Sequence, residues 1–248
     1  MSIKVDDTGT WPQQVIEELS TPSIRSHFEN GQWIDRVYKT PAVQELGELL
    51  VESCYESGLI GYHCTKEKHL GYFLQRGLEL TYAQRRIDSF LAEYGDRFTP
   101  SKLDEIKLKF EEWQNLEDHM AGREGKIWFC LTRRPVISDG TKWFFKYYGG
   151  EIIYWPFVEI DHEVESVLAQ IGSPVVIELQ LDTSQLEFFG DHNLAKSMLS
   201  YFGKTVNPLF NLQDIEGFAK CNLSPEQIVR VHPKDEFFNE NKMYVISD

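Results

Sequence analysis

One short stretch constrains this chain more than any other, because an apolar run ends there in polar residues. Residues 59–65 read Leu-Ile-Gly-Tyr-His-Cys-Thr, and a charged segment at 66–68 follows. A helical pattern then extends from Leu70 to Arg76 and stops at Gly77. This order predicts a strand, a polar edge, a helix and a glycine turn.

His63 lies at the polar end of the predicted strand, where a ligand can reach it. Alternate side chains of a strand point to opposite faces, so His63 and Gly61 share one face and Cys64 lies on the other. The absent side chain of Gly61 is expected to leave space beside the imidazole. The alternative is a histidine that is hydrogen-bonded inside a core, and this stretch does not decide between the two.

Composition and charge exclude several classes of protein. The 248 residues are 42% hydrophobic, which is enough for the core of one large domain, and the net charge is -14. An acidic chain repels nucleic acid at long range, although the charge does not exclude a local basic groove that binds it. Four cysteines without a Cys-x-x-Cys pair indicate neither a disulfide framework nor a zinc site. Reduced thiols fit a cytoplasmic protein.

The chain contains no pattern that predicts a membrane partner. Residues 1–14 lack the apolar core of a signal peptide, and no apolar run approaches the roughly 20 residues of a membrane span. We therefore expect a cytoplasmic location.

The order of the remaining patterns predicts a single α+β domain over residues 1–248. Its parts are a peripheral helical region at 1–57 and a core at 58–248 with a helical insertion at about 81–124. Helices are predicted at 15–19, 41–57, 70–76, 82–94, 101–122, 141–148, 162–171 and 193–202, and strands at 59–65, 126–132, 152–155, 175–181, 227–231 and 243–246.

Glu151 is the second residue of interest. It follows Gly149-Gly150 and precedes the apolar residues 152–155, so the pattern predicts a strand that begins with a carboxylate at a sheet edge. The two glycines would let a ligand lie close to it. A solvent-facing glutamate after a turn is the alternative.

Aromatic residues crowd the segment between Trp128 and Tyr148. Most of these rings must belong to a core, but one of them could stack against a planar cationic ring. The candidates for this platform are Trp143, Tyr147 and Tyr148.

Together these stretches resemble the three motifs of the ADP-ribosyltransferase superfamily. In that superfamily a strand ends in a histidine and leads to a helix and a glycine–leucine turn, as residues 62–78 do. A second, aromatic strand ends in Ser or Thr, as residues 127–132 do, and a third strand begins with a glutamate, as residues 151–154 do. Glu178 and Glu226 are the alternative carboxylates.

The resemblance implies a split, mostly antiparallel sheet and the transfer of ADP-ribose from NAD to a protein or nucleic acid. It also implies a bacterial toxin or defence protein, with an antitoxin or regulatory protein as a further candidate partner. NAD is then a substrate, and no metal is involved. The implied catalytic residues are Glu151 and His63, and the implied NAD-binding residues are His63, Cys64, Thr65, Thr132, Tyr147 and Tyr148.

These residue types suit the chemistry. Breaking the bond to nicotinamide builds positive charge on the ribose, which a carboxylate such as Glu151 stabilises. An imidazole and a hydroxyl, such as those of His63 and Thr65, can fix the ribose hydroxyls. Arg133 or Arg134 could hold the pyrophosphate, although a surface pair is the alternative for these two arginines.

Two other functions stay open. An RNA 2′-phosphotransferase would need several arginines around the histidine, and Arg133-Arg134 is the one close pair near a motif. A non-catalytic interaction module would use the helix at 101–122 and the acidic surface. A Rossmann dehydrogenase, a P-loop enzyme and a zinc protease are improbable, since their glycine-rich and His-Glu-x-x-His motifs are absent from the sequence.

Overall fold

Six strands form one open antiparallel sheet in the computed structural model, which describes residues 2–115, 123–189 and 193–242. The strands are β1 (Leu59–Glu67), β2 (Ile127–Cys130), β3 (Ser173–Leu181), β4 (Leu186–Phe188), β5 (Glu216–Ala219) and β6 (Ile228–Pro233). Their order across the sheet is β4-β5-β2-β1-β3-β6, and all neighbours are antiparallel. The predicted α+β class with a mostly antiparallel sheet is confirmed.

Helices surround this sheet, and none that the structure describes is both long and apolar enough to cross a membrane. They are α1 (Gln13–Leu19), α2 (Pro22–Glu29), α3 (Ile34–Val37), α4 (Pro41–Ser57), α5 (Tyr72–Arg76), α6 (Ala83–Tyr94), α7 (Pro100–Gln114), α8 (Arg133–Ile137), α9 (Lys142–Lys146), α10 (Glu151–Tyr154), α11 (His162–Gln170), α12 (Leu194–Val206) and α13 (Lys234–Glu240).

The helix α4 confirms the helix predicted at 41–57, and three features of its sequence explain why the prediction was correct. Pro41 sits in its first turn, where the fixed φ of proline suits a helix and no backbone N–H is needed. Val43, Leu46 and Leu50 recur at three- and four-residue spacing and are buried. Gly58 ends the helix with a φ of 76°, and β1 begins at once.

The main core lies between one face of the sheet and the N-terminal helices together with α12. Phe129 and Ile177 contribute from the strands. Ile3 and Trp11 are buried in the same cluster, and Ile3 pairs with the first residue of β1. The region at 1–57 is therefore part of the core instead of peripheral to it.

Two further clusters complete the packing. On the other face of the sheet Tyr62 packs with aromatic residues of α9 and α13. The second cluster is formed by helices alone, because α6 and α7 of the expected insertion pack on α10 and α11. The side chain of Thr99 caps α7 by accepting a hydrogen bond from the Lys102 amide, so the helix begins one residue before the start predicted at 101. The continuation of this helix predicted beyond residue 115 falls outside the described residues, as does the strand predicted at 243–246.

Glu151 begins a helix, and the strand predicted there was wrong. Gly150 precedes it with a φ of 71°, and the next three residues, Ile152 to Tyr154, are all buried among helices. A short apolar run cannot be assigned to strand or buried helix from periodicity alone. The strand that the sequence placed at 152–155 is thus the single turn α10.

Candidate active site

The two central strands, β1 and β2, are joined by one residue pair. This pair is Tyr62 with Cys130, and we call it the β1–β2 junction. By contrast, β1 pairs with β3 over all nine of its residues. All six strands belong to a single sheet, so two separate sheets, as the resemblance implies, are not found. The backbone ladder between β1 and β2 nevertheless ends directly beside His63.

His63 is the one residue of β1 that is partly exposed. Its Nδ1 lies 2.8 Å from the backbone carbonyl oxygen of Trp128 in β2. A carbonyl oxygen can only accept, so Nδ1 carries the hydrogen and donates it, which leaves the lone pair on Nε2. Burial lowers the pKa of His63, and the charge of Arg86 lowers it further against the effect of the Trp128 carbonyl. The imidazole is therefore neutral at pH 7 and can accept a hydrogen bond at Nε2.

The space beside this imidazole is not the one that the sequence suggested. A Cβ placed on Gly61 would lie 2.4 Å from Cδ1 of Leu181 and 3.3 Å from Cδ2 of Leu131. Gly61 therefore makes room for core leucines, and the prediction that it leaves space for a ligand was wrong.

Cys64 and Thr65, which follow the histidine, are both buried in β1. Cys130 of β2 is also buried, and the thiol of Cys64 acts on it across the two strands. The Cys64 thiol and burial raise the pKa of Cys130 well above its ordinary value. The Cys130 thiol is thus protonated and packed, and it is not poised as a nucleophile.

Trp128 contacts His63 through its backbone carbonyl and a second group of polar residues through its indole. The guanidinium of Arg123 lies 5.2 Å from the Trp128 ring centroid, and its Nε lies 2.5 Å from Oε2 of Glu151. The Nε1 atom of Trp128 is buried and makes no hydrogen bond with any residue that the structure describes. A buried donor of this kind is costly unless a ligand or water accepts from it.

Glu151 is held in place by its ion pair with Arg123. Burial raises the pKa of its carboxyl, Arg123 opposes this effect, and the negative charge of Glu216 adds to it. The carboxylate predicted to lead a strand is thus at the start of a helix and paired with an arginine.

Glu216 is the carboxylate that the sequence analysis missed. It is the first residue of β5, it is exposed, and in the sheet register it stands opposite Cys130, at the β1–β2 junction. It forms no ion pair with any residue in the described ranges. Strand propensity does not predict a four-residue strand that contains a glycine. The available signal was a glutamate that leads a short segment before a Ser-Pro turn and the next strand.

The two alternative carboxylates occupy other surroundings. Glu178 lies in the middle of β3, where its carboxylate accepts a hydrogen bond from His232 at 2.9 Å and pairs with Lys4 at 2.8 Å. Burial raises the pKa of Glu178, but these two partners outweigh it and lower the pKa to about 2. Glu226 lies in a 3-10 turn at 225–227 next to Ser224.

We expect the contacts of Glu178 with His232 and Lys4 to make the free energy of unfolding depend on pH. The pKa of Glu178 falls from the ordinary 4.5 to about 2 on folding, which corresponds to about 3 kcal/mol of stability. Because the folded pKa is the lower one, this contribution is complete above pH 4.5 and is lost as the pH falls towards 2. Urea unfolding at pH 7, 4.5 and 3 should show Glu178→Gln destabilised at pH 7 by about 3 kcal/mol, with a smaller deficit at pH 3. The exposed Glu18→Gln is the control, and a deficit for Glu178→Gln that does not change with pH would contradict the assignment.

Thr132 and the two arginines after β2 each contact a carboxylate from a distant part of the chain. The hydroxyl groups of Thr132 and Tyr201 both donate to Asp214, at 2.9 and 2.5 Å, and Arg134 pairs with the same carboxylate. The Arg133 guanidinium lies 3.0 Å from Asp6, which is fully enclosed. These contacts fasten the N-terminal segment and the residues before β5 to the end of β2. The side chain of Arg133 is therefore largely buried, whereas that of Arg134 stays 37% exposed, so the surface alternative fails for Arg133 alone.

All three candidate stacking residues, Trp143, Tyr147 and Tyr148, pack in the second cluster. Tyr147 is buried and packs parallel on Trp143, with ring centroids 5.6 Å apart. Tyr148 is half-buried, and burial raises its pKa while the charge of Arg86 lowers it. Arg86 also acts on His63, and its Nε donates to the carbonyl of Gly149 at 3.3 Å. Tyr148 packs against Tyr94 of the same cluster as Tyr147, with ring centroids 5.5 Å apart.

Comparison of the chain with known proteins finds no matching family model, no similar curated protein and no similar solved structure.

Proposed function

We propose that this protein is an NAD-dependent ADP-ribosyltransferase that modifies a macromolecule, and that its active site is the β1–β2 junction. One observation supports the proposal most. The strand with His63, the aromatic strand at 127–130 and a strand led by a glutamate are consecutive neighbours, in the order β5-β2-β1. These are the three kinds of strand that carry the motifs of the superfamily.

In this proposal the carboxylate is Glu216 rather than Glu151. Glu216 leads a strand, is exposed and has no ion-pair partner among the described residues, whereas Arg123 neutralises Glu151. A free carboxylate can stabilise the positive charge that develops on the ribose as nicotinamide leaves. It can also accept a proton from the incoming nucleophile. Glu151 then positions Arg123 against the indole of Trp128.

His63 and Trp128 would hold the dinucleotide. The neutral imidazole has its Nδ1–H bound to the Trp128 carbonyl, so Nε2 is oriented to accept from a ribose hydroxyl. The buried Nε1–H of Trp128 would donate to an oxygen of the ligand. Both groups belong to strands, which keeps them rigid.

A second candidate is an RNA 2′-phosphotransferase, because Arg86 lies close enough to His63 to lower its pKa. Further arginines are scarce at this place. Arg133 and Arg134 are bound to Asp6 and Asp214, and Arg123 is bound to Glu151. We therefore rank this chemistry second.

The test is nicotinamide release from NAD by the purified chain, measured by chromatography. We expect turnover of NAD and a loss of about 100-fold in His63→Ala, because the residue orients the ribose. His27→Ala, which removes an exposed histidine of α2, should retain full activity. Absence of NAD turnover would refute the transferase, and NAD-dependent removal of a 2′-phosphate from an RNA oligonucleotide would establish the second candidate. Labelled NAD would then show where ADP-ribose is attached.

A further inference from the structure

The chain directly before β5 is fastened at three consecutive residues, 213–215, which we call the anchor segment. At its first residue, Gln213, the backbone amide donates to the Ser200 hydroxyl oxygen at 2.9 Å, and the backbone carbonyl accepts from the Ser197 hydroxyl at 2.7 Å. Both serines belong to α12 and are fully buried. The anchor segment is therefore bound to a helix of the main core, one residue before Glu216.

The last residue of the anchor segment joins it to β2. The carbonyl oxygen of Ile215 accepts from the amide of Leu131, the residue after β2, at 3.0 Å. The side chains of Ile215 and Leu131 are both fully enclosed in the main core. Glu216 follows as the first residue of β5, so its backbone starts from a point that is fixed relative to β2.

Asp214 supplies the side-chain contacts of the anchor segment. Its Oδ1 atom accepts from the hydroxyl groups of Thr132 and Tyr201, at 2.9 and 2.5 Å, and its Oδ2 atom pairs with Arg134. Hydrogen bonds to a carboxylate are stronger than those between neutral groups. The three partners come from the end of β2, from α12 and from α8, so a single carboxylate ties three elements to the start of β5.

Glu216 has no comparable support of its own. Its side chain is exposed and is not ion-paired with any described residue. The next residue, Gly217, contributes no side-chain packing to a strand of only four residues. A group that acts in catalysis must be held within about 0.5 Å of its productive position by the residues behind it. For Glu216 this support is the anchor segment.

A second aspartate at the end of β2 shows a contact of the same kind that lacks this connection. Asp6, whose side chain is fully enclosed, accepts from the Arg133 amide at 2.6 Å and lies 3.0 Å from the Arg133 guanidinium. Its hydrogen bonds within the described ranges reach Arg133 and not the anchor segment. Asp6 thus fastens the N-terminal segment, whereas Asp214 is two residues from the proposed catalytic carboxylate.

We infer that Asp214 is a positioning residue for the proposed ADP-ribosyl transfer, and that its contacts with Thr132, Tyr201 and Arg134 set where Glu216 stands at the β1–β2 junction. This inference rests on the proposed function. Asp214 acts through Glu216 and not on NAD. Its loss should therefore weaken the stabilisation of the transition state by Glu216 and leave NAD binding unchanged.

A double-mutant cycle on nicotinamide release tests the inference, with NAD labelled in its nicotinamide ring so that slow turnover is measurable. Asp214→Asn keeps the size of the side chain, but its amide nitrogen cannot accept from Arg134. We expect kcat to fall about 10- to 100-fold, because a displacement of about 1 Å can cost about 100-fold. The KM for NAD should change by less than about threefold, as for an interaction made only in the transition state. In Glu216→Gln the same substitution should lower kcat by less than about twofold, because the carboxylate through which it acts is gone.

Two further variants separate positioning from a loss of fold. Tyr201→Phe removes a single hydroxyl contact of Asp214 and should show a smaller loss with the same dependence on Glu216, which decides the matter if Asp214→Asn does not fold. Asp6→Asn is the matched control and should keep kcat within about twofold of the unchanged chain. Thermal unfolding of each variant gives the temperature at which all of them are folded and can be compared.

The outcomes distinguish the inference from the function on which it rests. If the unchanged chain releases no nicotinamide, the proposed function and this inference both fail. If it does, three results overturn the inference alone. They are an equal loss of kcat from Asp214→Asn with and without the Glu216 carboxylate, a loss confined to KM, and a loss in Asp6→Asn as large as that in Asp214→Asn.

Discussion

Glu216→Gln should lower NAD turnover by about 100- to 1000-fold and leave the free energy of unfolding unchanged. The amide keeps the size of the side chain but removes the negative charge, and loss of one preorganised electrostatic group in an active site costs about this much. Stability should not change, because Glu216 is exposed and forms no ion pair with the described residues. Nicotinamide release and urea unfolding measure the two quantities separately.

Two further variants make this result specific. Glu151→Gln weakens a contact with Arg123 and should lower turnover less than 10-fold, since the carboxylate acts through that arginine. Glu187→Gln removes an exposed carboxylate of the neighbouring strand β4 and should be without effect. If Glu151→Gln loses more activity than Glu216→Gln, the carboxylate is Glu151 and our reassignment is wrong.

Sequence patterns correctly predicted the helices and strands whose ends are marked by local residues such as proline and glycine. The helix α4 has a proline at its start, a regular apolar face and a glycine at its end. The strand β3 follows Gly172 and is rich in valine, isoleucine and leucine, as expected for a strand that is buried in a sheet. His63 could be placed at a sheet opening because its strand follows Gly58 directly.

The site could be predicted only in part, because its remaining members depend on contacts between distant residues. The strand β5 has a weak propensity and forms through pairing with β2 on one side and β4 on the other. Arg133 was considered, with Arg134, as either a pyrophosphate ligand or part of a surface pair, but its partner, Asp6, lies 127 positions earlier in the chain. Nothing in a single sequence reports such a pairing.

The short run at 151–154 is a second case in which the local sequence did not determine the structure. Its isoleucines favour a strand by propensity. In the structure they are surrounded by α6 and the other helices of the second cluster, and no strand edge is beside them. Tertiary packing therefore decided the local conformation, and with it the role of Glu151.

The glycine of the first motif has a physical explanation that predicts a large effect on stability. Gly77 has a φ of 72° and a ψ of -159°, a conformation that is essentially restricted to glycine. A Cβ on this residue would lie 2.0 Å from the carbonyl oxygen of Leu223. The same carbonyl accepts the amide of Leu78 at 2.9 Å, and the amide of Leu223 donates back to Leu78 at 2.9 Å. The backbone of Leu223 is thus held against Gly77 from both sides.

We therefore expect Gly77→Ala to lower the free energy of unfolding by about 4 kcal/mol, as backbone strain and a clash with a fixed carbonyl add together. Gly71→Ala is the matched control, because Gly71 also has a positive φ, of 81°, but its Cβ would meet only the flexible side chain of Gln75 at 3.8 Å. The free energy of unfolding of the control should fall by about 1 kcal/mol, since the substitution introduces backbone strain without a clash. Urea unfolding of both variants gives the comparison, and equal losses would show that Leu223 does not constrain the turn. A loss confined to Gly77→Ala would mean that this motif glycine is required by a backbone contact with the segment after β5, rather than by a ligand.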